Sequence, residues 1–272
     1  MRQKRVGLIG LGAIGRDVVS CLSGRGDPPM IRVLRRVASH LEERISDVQE
    51  VASVEALLEM QPDLVVEAAG QAALEQIGPV ILDAGISLVA ASAGALVQSA
   101  GDETLGDLLA AKAKASGARL IIPSGAIGGL DYLAAVSGLP NTTVVYTSRK
   151  PPAAWRDELE QRGQWAEAQS APTELFRGSV QEAARLYPRN LNVAATLALV
   201  KGTCESISVR VVVDPAAAGN THEIEICSPA GRARFEFVNE PSPENPKTSM
   251  VTALSVVQSI DAFFAGRPTP SA

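Results

Sequence analysis

His222 stands in GNTHEIEI, residues 219 to 226, and is one of two histidines in 272 residues. An imidazole, with an ordinary pKa of about 6.5, can give and take protons near neutrality. In an extended segment alternate side chains share a face. His222, Ile224 and Ile226 therefore point one way, and Thr221, Glu223 and Glu225 the other. A titratable ring thus opens an apolar face, either as a satisfied core histidine or as a proton-transfer group. The other histidine, His40 in ASHLEER, reads as a surface residue.

The second chemical signal is GLIGLGAIG, which holds Gly10-x-Gly12-x-x-Gly15 directly after a strand-like run and at the start of a helical one. This spacing suits a dinucleotide. Gly10 permits the tight turn, Gly12 lets the backbone approach a pyrophosphate, and Gly15 lets helix and strand pack closely. Ala13 and Ile14 open the helix whose N-terminus favours the anion, and complete the candidate loop. About 20 residues on, an acid normally binds the ribose of NAD. Here the chain has Leu34, Arg35, Arg36 and Val37. Arg35 could meet the extra phosphate of NADP, or the pair could be a solvated strand end, so NAD and NADP both stand.

These residues need elements to hold them. Strand-like runs at 5–10, 30–37, 63–70, 86–91 and 118–123 alternate with helical patterns at 14–22, 54–60, 72–84 and 103–116. That alternation predicts an α/β, doubly wound parallel sheet of Rossmann type over residues 1–125. Beyond it, 142–149, 205–214, 221–228 and 231–238 alternate with period two, and 191–202 reads as an apolar helix. A second, smaller α+β domain on a largely antiparallel sheet is predicted for 126–247, with the last three strands as neighbours joined by short connections. NEPSPENPK reads as a linker loop, and 248–266 as a helix expected to return to the first domain.

Composition narrows the function classes. A formal charge of −5 and no long basic run argue against nucleic acid or an anionic membrane as the main partner. The glycine-rich start is too short for a secretory signal, and no stretch has the length of a membrane span. Cys21, Cys204 and Cys227 lack metal-ligand spacing and read as free thiols of a cytoplasmic protein, with no metal expected.

Taken together, GLIGLGAIG, DLVVEAAG, LIIPSGAIGGLD, NLNVAATLAL and GNTHEIE resemble the L-aspartate dehydrogenases nearly end to end. The resemblance implies NAD(P)-dependent oxidation of L-aspartate to iminoaspartate, hydrolysed to oxaloacetate and ammonia, in support of NAD biosynthesis. It implies a Rossmann domain with an α+β domain carrying the oligomer interface, here a homodimer. His222 becomes the catalytic residue, expected to stand at a cleft mouth and not to be packed on every side. Ala126 of PSGAIGG and Asn192 become dinucleotide contacts. On chemistry alone, PSGAIGG lies past a strand's C-terminal end, where ligands sit in such sheets. Asn192 follows Asn190, a candidate N-cap, and both could simply be helix-start residues. Lys201 could meet a carboxylate or a helix dipole, and is not assigned.

Other readings are another two-domain dehydrogenase, homoserine dehydrogenase-like, and a non-catalytic dinucleotide sensor. The paired-histidine segment of dihydrodipicolinate reductase is absent. Cys204 and Cys227, read in strand-like stretches, lack the setting of an aldehyde dehydrogenase nucleophile. Aspartate-dependent reduction of nucleotide separates enzyme from sensor.

Overall fold

A computed structural model describes residues 3–35, 48–100, 103–187, 192–242 and 245–268. Arg36, Val37, His40 and Asn190 lie outside the described residues. Two units form, one from Met1–Pro123 with Ala253–Ala272, the other from Ser124–Thr252.

The first unit runs β1 (Arg5–Ile9), α1 (Ala13–Ser23), β2 (Met30–Leu34), β3 (Val48–Val51), α2 (Val54–Leu58), β4 (Leu64–Glu67), α3 (Gln71–Asp83) and β5 (Ser87–Ala90). A small pair, β6 (Ser99–Ala100) and β7 (Glu103–Thr104), precedes α4 (Leu105–Ser116) and β8 (Leu120–Ile121). Six strands pair in parallel in the order β3-β2-β1-β4-β5-β8. The chain winds outward from β1, then restarts at β4 on its other side, which is the doubly wound order. Leu64, Val65, Val66, Leu88 and Val89 are fully buried, as strands covered on both faces require. Strand β3 was not read from the sequence. It is a four-residue edge strand, and Gln49 and Glu50 leave it no apolar run.

The second unit holds α5 (Leu130–Val136), β9 (Thr143–Lys150), α6 (Arg156–Gln161), α7 (Trp165–Ala168), β10 (Thr173–Gly178), α8 (Val180–Leu186) and α9 (Asn192–Lys201). Then come β11 (Ile207–Val213), β12 (Asn220–Ser228), β13 (Gly231–Asn239), β14 (Pro241–Ser242) and β15 (Asn245–Ser249), after which α10 (Met250–Phe264) returns the chain to the first unit. The sheet order is β10-β11-β9-β12-β13, antiparallel except for β9 with β11.

Here two sequence expectations are corrected. Strands β11 and β12 are not neighbours, because β9 lies between them. The link 214–219 can extend up to about 20 Å, and crossing one intervening strand needs only about 10 Å. A short connection therefore does not force adjacency. The proline-rich stretch 239–247 also holds the short pair β14–β15, where Pro241 sits at a strand start and an edge tolerates it.

Helix α10 packs into the first unit. Ala253, Val256, Val257 and Ile260 are buried with Val6, Leu8, Val18, Leu22, Val33, Leu64 and Val66.

Candidate active site

The glycine loop caps β1. Gly10 has φ +93, and a Cβ there would lie 2.7 Å from the Ala69 Cα, so only glycine fits. A Cβ on Gly15 would run into the Gly10 carbonyl. Gly12 differs. It is exposed, has an ordinary negative φ of −77°, and a Cβ there meets nothing within 4 Å. It is the N-cap of α1, whose first turn receives no side-chain cap and holds Ala13 and Ile14. Open space above uncapped helix N–H groups is what an incoming pyrophosphate needs. The residues fit a pyridine dinucleotide. The Gly10 N–H donates to the Leu34 carbonyl at 3.1 Å, tying the loop to the end of β2 beside Arg35. There Arg35 Nη1 bonds Glu50 Oε1 at 2.9 Å, a partner on β3 that the sequence reading missed.

The loop has a buried support that also went unread. Glu67, at the end of β4, is fully buried. Its Oε1 accepts from the Ala69 and Gly70 N–H groups at 2.8 Å each and from the Ser92 hydroxyl at 2.9 Å, and its Oε2 from the Ser92 N–H at 3.1 Å. Burial pushes its pKa up, and these four bonds oppose the shift. A charged residue inside the apolar run of DLVVEAAG was the available signal.

In the second unit the inward face of the sheet carries Val144, Tyr146, Ser148 and Lys150 on β9, and Asn220, His222, Ile224 and Ile226 on β12. His222 stands opposite Ser148, and Ile224 opposite Tyr146. The diagonal pair meets: the Tyr146 hydroxyl and His222 Nδ1 are 2.8 Å apart, with the rings nearly parallel. His222 Nε2 is buried and bonds no protein group.

Two expectations for this histidine are corrected. The ring is 4% exposed and therefore closely packed. Nor does it titrate near neutrality: burial first, then the positive charge of Lys150, push its pKa down to about 3. It is a neutral imidazole at physiological pH. Burial also raises the Tyr146 pKa, so its phenol keeps its proton. The tautomer decides what Nε2 offers. When Nδ1–H donates to the phenol oxygen, Nε2 presents a lone pair; when the phenol donates, Nε2–H is a donor.

Ala126 lies in the same unit, 7% exposed, and its carbonyl accepts from Asn239 Nδ2 at 2.8 Å. Asn239 pairs with Asn220, two residues before His222, so the PSGAIGG loop is pinned to that end of the sheet. Its glycines have a packing reason. A Cβ on Gly129 would sit 2.9 Å from the Phe235 ring, and one on Gly128 3.3 Å from Phe237. Asn192 is the first residue of α9, half-buried, and its carbonyl accepts from the Thr196 hydroxyl. The thiols of Cys21, Cys204 and Cys227 are free, and Cys204 lies in the bend before β11, not in a strand. Among the described residues, no group of three or more His, Cys, Asp or Glu side chains could hold a metal, and no helix is long and apolar enough to cross a membrane.

Comparison with known proteins places this geometry. The family described as "Aspartate dehydrogenase, C-terminal" matches residues 131–263. "Homoserine dehydrogenase, NAD binding domain" matches residues 10–123. L-aspartate dehydrogenase 2 of Bordetella pertussis is 46% identical over 263 residues, covering 96% of this chain and 97% of that protein. The chain belongs to the L-aspartate dehydrogenase family. A further member, the L-aspartate dehydrogenase of Ruegeria pomeroyi, is 35% identical, covering 94% of this chain and 91% of its own. The crystal structure of aspartate dehydrogenase from Thermotoga maritima aligns with a TM-score of 0.76 at 29% identity, covering 96% and 97% of the two chains. Dihydrodipicolinate reductase from Paenisporosarcina shares only the fold, at 13% identity and a TM-score of 0.54. In this member of the aspartate dehydrogenase family, His222 is legible from the sequence, whereas Tyr146 and Lys150 emerge only from the structure. Both follow the alternation of TTVVYTSRK, where a lysine on the parity of Val144 and Tyr146 was the missed signal.

Proposed function

We propose that this chain oxidises L-aspartate with NAD or NADP to iminoaspartate, which water converts to oxaloacetate and ammonia. The reaction supplies NAD biosynthesis, and the protein works as a cytoplasmic homodimer. The observation that carries the reading is the His222 ring, a buried neutral imidazole whose Nε2 bonds no protein group, in a chain 46% identical to a named L-aspartate dehydrogenase over 96% of its length.

Gly10, Gly12, Ala13, Ile14 and Gly15 would hold the dinucleotide's phosphates, Arg35 its adenosine end, and Ala126 and Asn192 its nicotinamide end. When bound, the nicotinamide supplies the hydride acceptor. The protein's task is then to orient the substrate and move protons. An amine bearing three hydrogens cannot become an imine until it loses a proton. His222 Nε2 can take that proton while Nδ1–H donates to the Tyr146 oxygen, and it can return protons as water adds and ammonia leaves. A ring held at a pKa of about 3 is a weak base by itself. A substrate that brings carboxylates beside it favours the imidazolium and raises its basicity when it is needed.

The test is aspartate-dependent reduction of NAD and of NADP, followed at the nicotinamide absorbance. Turnover with either supports the reading, and none with both refutes it. Arg35→Ala in the same assay should raise the KM for NADP more than that for NAD, because only NADP carries the extra phosphate. Equal effects would remove Arg35 from the site.

A further inference from the structure

Lys150 is the last residue of β9 and only 3% exposed. Lysine is almost never buried so deeply without an ionic or hydrogen-bonding reason. It shares the inward face with Ser148, the residue opposite His222, and its ammonium lies 6.0 Å from the centre of the Trp155 ring. Of the inward side chains that β9, β11, β12 and β13 place on this face, Lys150 is the single cation. Its neighbour Arg149 points to the other face, where it bonds Glu223 at 2.7 Å and Asp214 at 3.0 Å.

A second observation marks the same place. Four buried side-chain polar atoms among the described residues bond no protein group: Arg5 Nε, Ser148 Oγ, Trp155 Nε1 and His222 Nε2. Three of the four belong to Lys150's immediate surroundings, namely the residue two before it on the strand, the ring beside it, and the ring opposite that serine. The Ser148 hydroxyl and the Trp155 indole N–H are donors that are costly to leave unsatisfied in a folded core, and the Lys150 ammonium adds charge-assisted donors beside the His222 base. A carboxylate is the ligand whose oxygens accept from such a set.

We propose that Lys150 receives a carboxylate of the dicarboxylate substrate beside His222. The assignment rests on the aspartate dehydrogenase reading given above. An ammonium has three N–H donors, so it can keep a structural partner and hold a substrate oxygen at once. It sets substrate choice by charge, while His222 moves the protons. Its own positive charge contributes to the low pKa of His222, so a carboxylate arriving on Lys150 also relieves that effect.

The test uses the full chain with its nucleotide. Lys150→Met keeps the packed stem and removes the charge, and Lys150→Arg keeps the charge. For Lys150→Met the KM for aspartate should rise roughly 10- to 100-fold, the worth of one charge-assisted hydrogen bond. Its affinity for NADH or NADPH should stay within about twofold, and Lys150→Arg should recover part of the loss. A structural role would move melting temperature and nucleotide affinity together instead. Loss confined to aspartate, with L-2-aminobutyrate unaffected, places Lys150 on the β-carboxylate; equal loss on both places it on the α-carboxylate. If Lys150→Met does not fold, Lys150→Gln is read in the same way. A folded variant whose aspartate KM lies within about twofold of the parent overturns the assignment. Should the parent fail to oxidise aspartate, succinate binding by calorimetry decides separately. Binding that Lys150→Met abolishes upholds the carboxylate site; no binding, or binding that survives the substitution, overturns it.

Discussion

His222 carries two linked predictions, one kinetic and one thermodynamic. His222→Asn should lower kcat by about 10²–10⁴-fold, the usual contribution of a positioned acid–base group, with nucleotide affinity nearly unchanged. Normal turnover per folded molecule would reduce the ring to a core residue. The thermodynamic sign follows from the pKa. The unfolded chain binds a proton on this histidine below about pH 6.5, whereas the folded ring does so only near 3. Between those values the unfolded state holds more protons, so stability falls as pH falls and is unaffected above the window. Glu67, whose pKa is raised, acts in the opposite sense, so the measurement is the stability difference between parent and His222→Asn. That difference should shrink by up to about 1.4 kcal/mol per pH unit on acidification. A difference flat from pH 7 to 4 would contradict the buried neutral ring. The alternation of GNTHEIEI made the histidine and its face legible. Its partner was not, because Tyr146 lies 76 residues away and becomes its neighbour only through the pairing of β12 with β9.

At the scale of elements, the three loop glycines have different jobs and should fail differently. Gly12→Val puts a branched side chain into open space at an ordinary φ. Melting temperature should therefore hold, while dinucleotide affinity drops by orders of magnitude. Gly15→Val drives a side chain into the Gly10 carbonyl between β1 and α1, so it should cost stability and affinity together. Calorimetry and melting curves on both variants separate the two. Undiminished binding by a folded Gly12→Val protein would move the phosphate site elsewhere. The loop was readable because its spacing follows from backbone requirements confined to one turn. Strand order was less so. Period-two runs marked β9, β11, β12 and β13, yet nothing local tells β12 to pair with β9. Strand β10 escaped because its bulge at Glu174 breaks the alternation.

For the whole molecule, the chain's route has an energetic consequence. It leaves the first unit at Pro123, builds the second, and comes back at Ala253 to complete the first core with α10. The periodicity of TSMVTALSVVQSIDAFFAG foretells a helix, but an apolar stripe does not name the surface it will cover. In the structure Val256 is fully buried and Ile260 1% exposed, among Val6, Leu8, Val33 and Val66. Ile260→Ala removes buried methyl and methylene groups from a packed site and should cost about 2–5 kcal/mol. Ile260→Asp, which buries an unpaired carboxylate, should cost more. These are positions the glycine loop's own strand leans on, since Val6 and Leu8 belong to β1. The expected outcome is therefore a lowered melting temperature together with weakened nucleotide binding, although residue 260 lies 245 positions beyond Gly15. Saturating NADH should recover part of the Ile260→Ala loss, because a ligand that binds only the folded state stabilises it by mass action. A folded Ile260→Asp protein with the parent's melting temperature would mean that α10 is dispensable to the nucleotide-binding core.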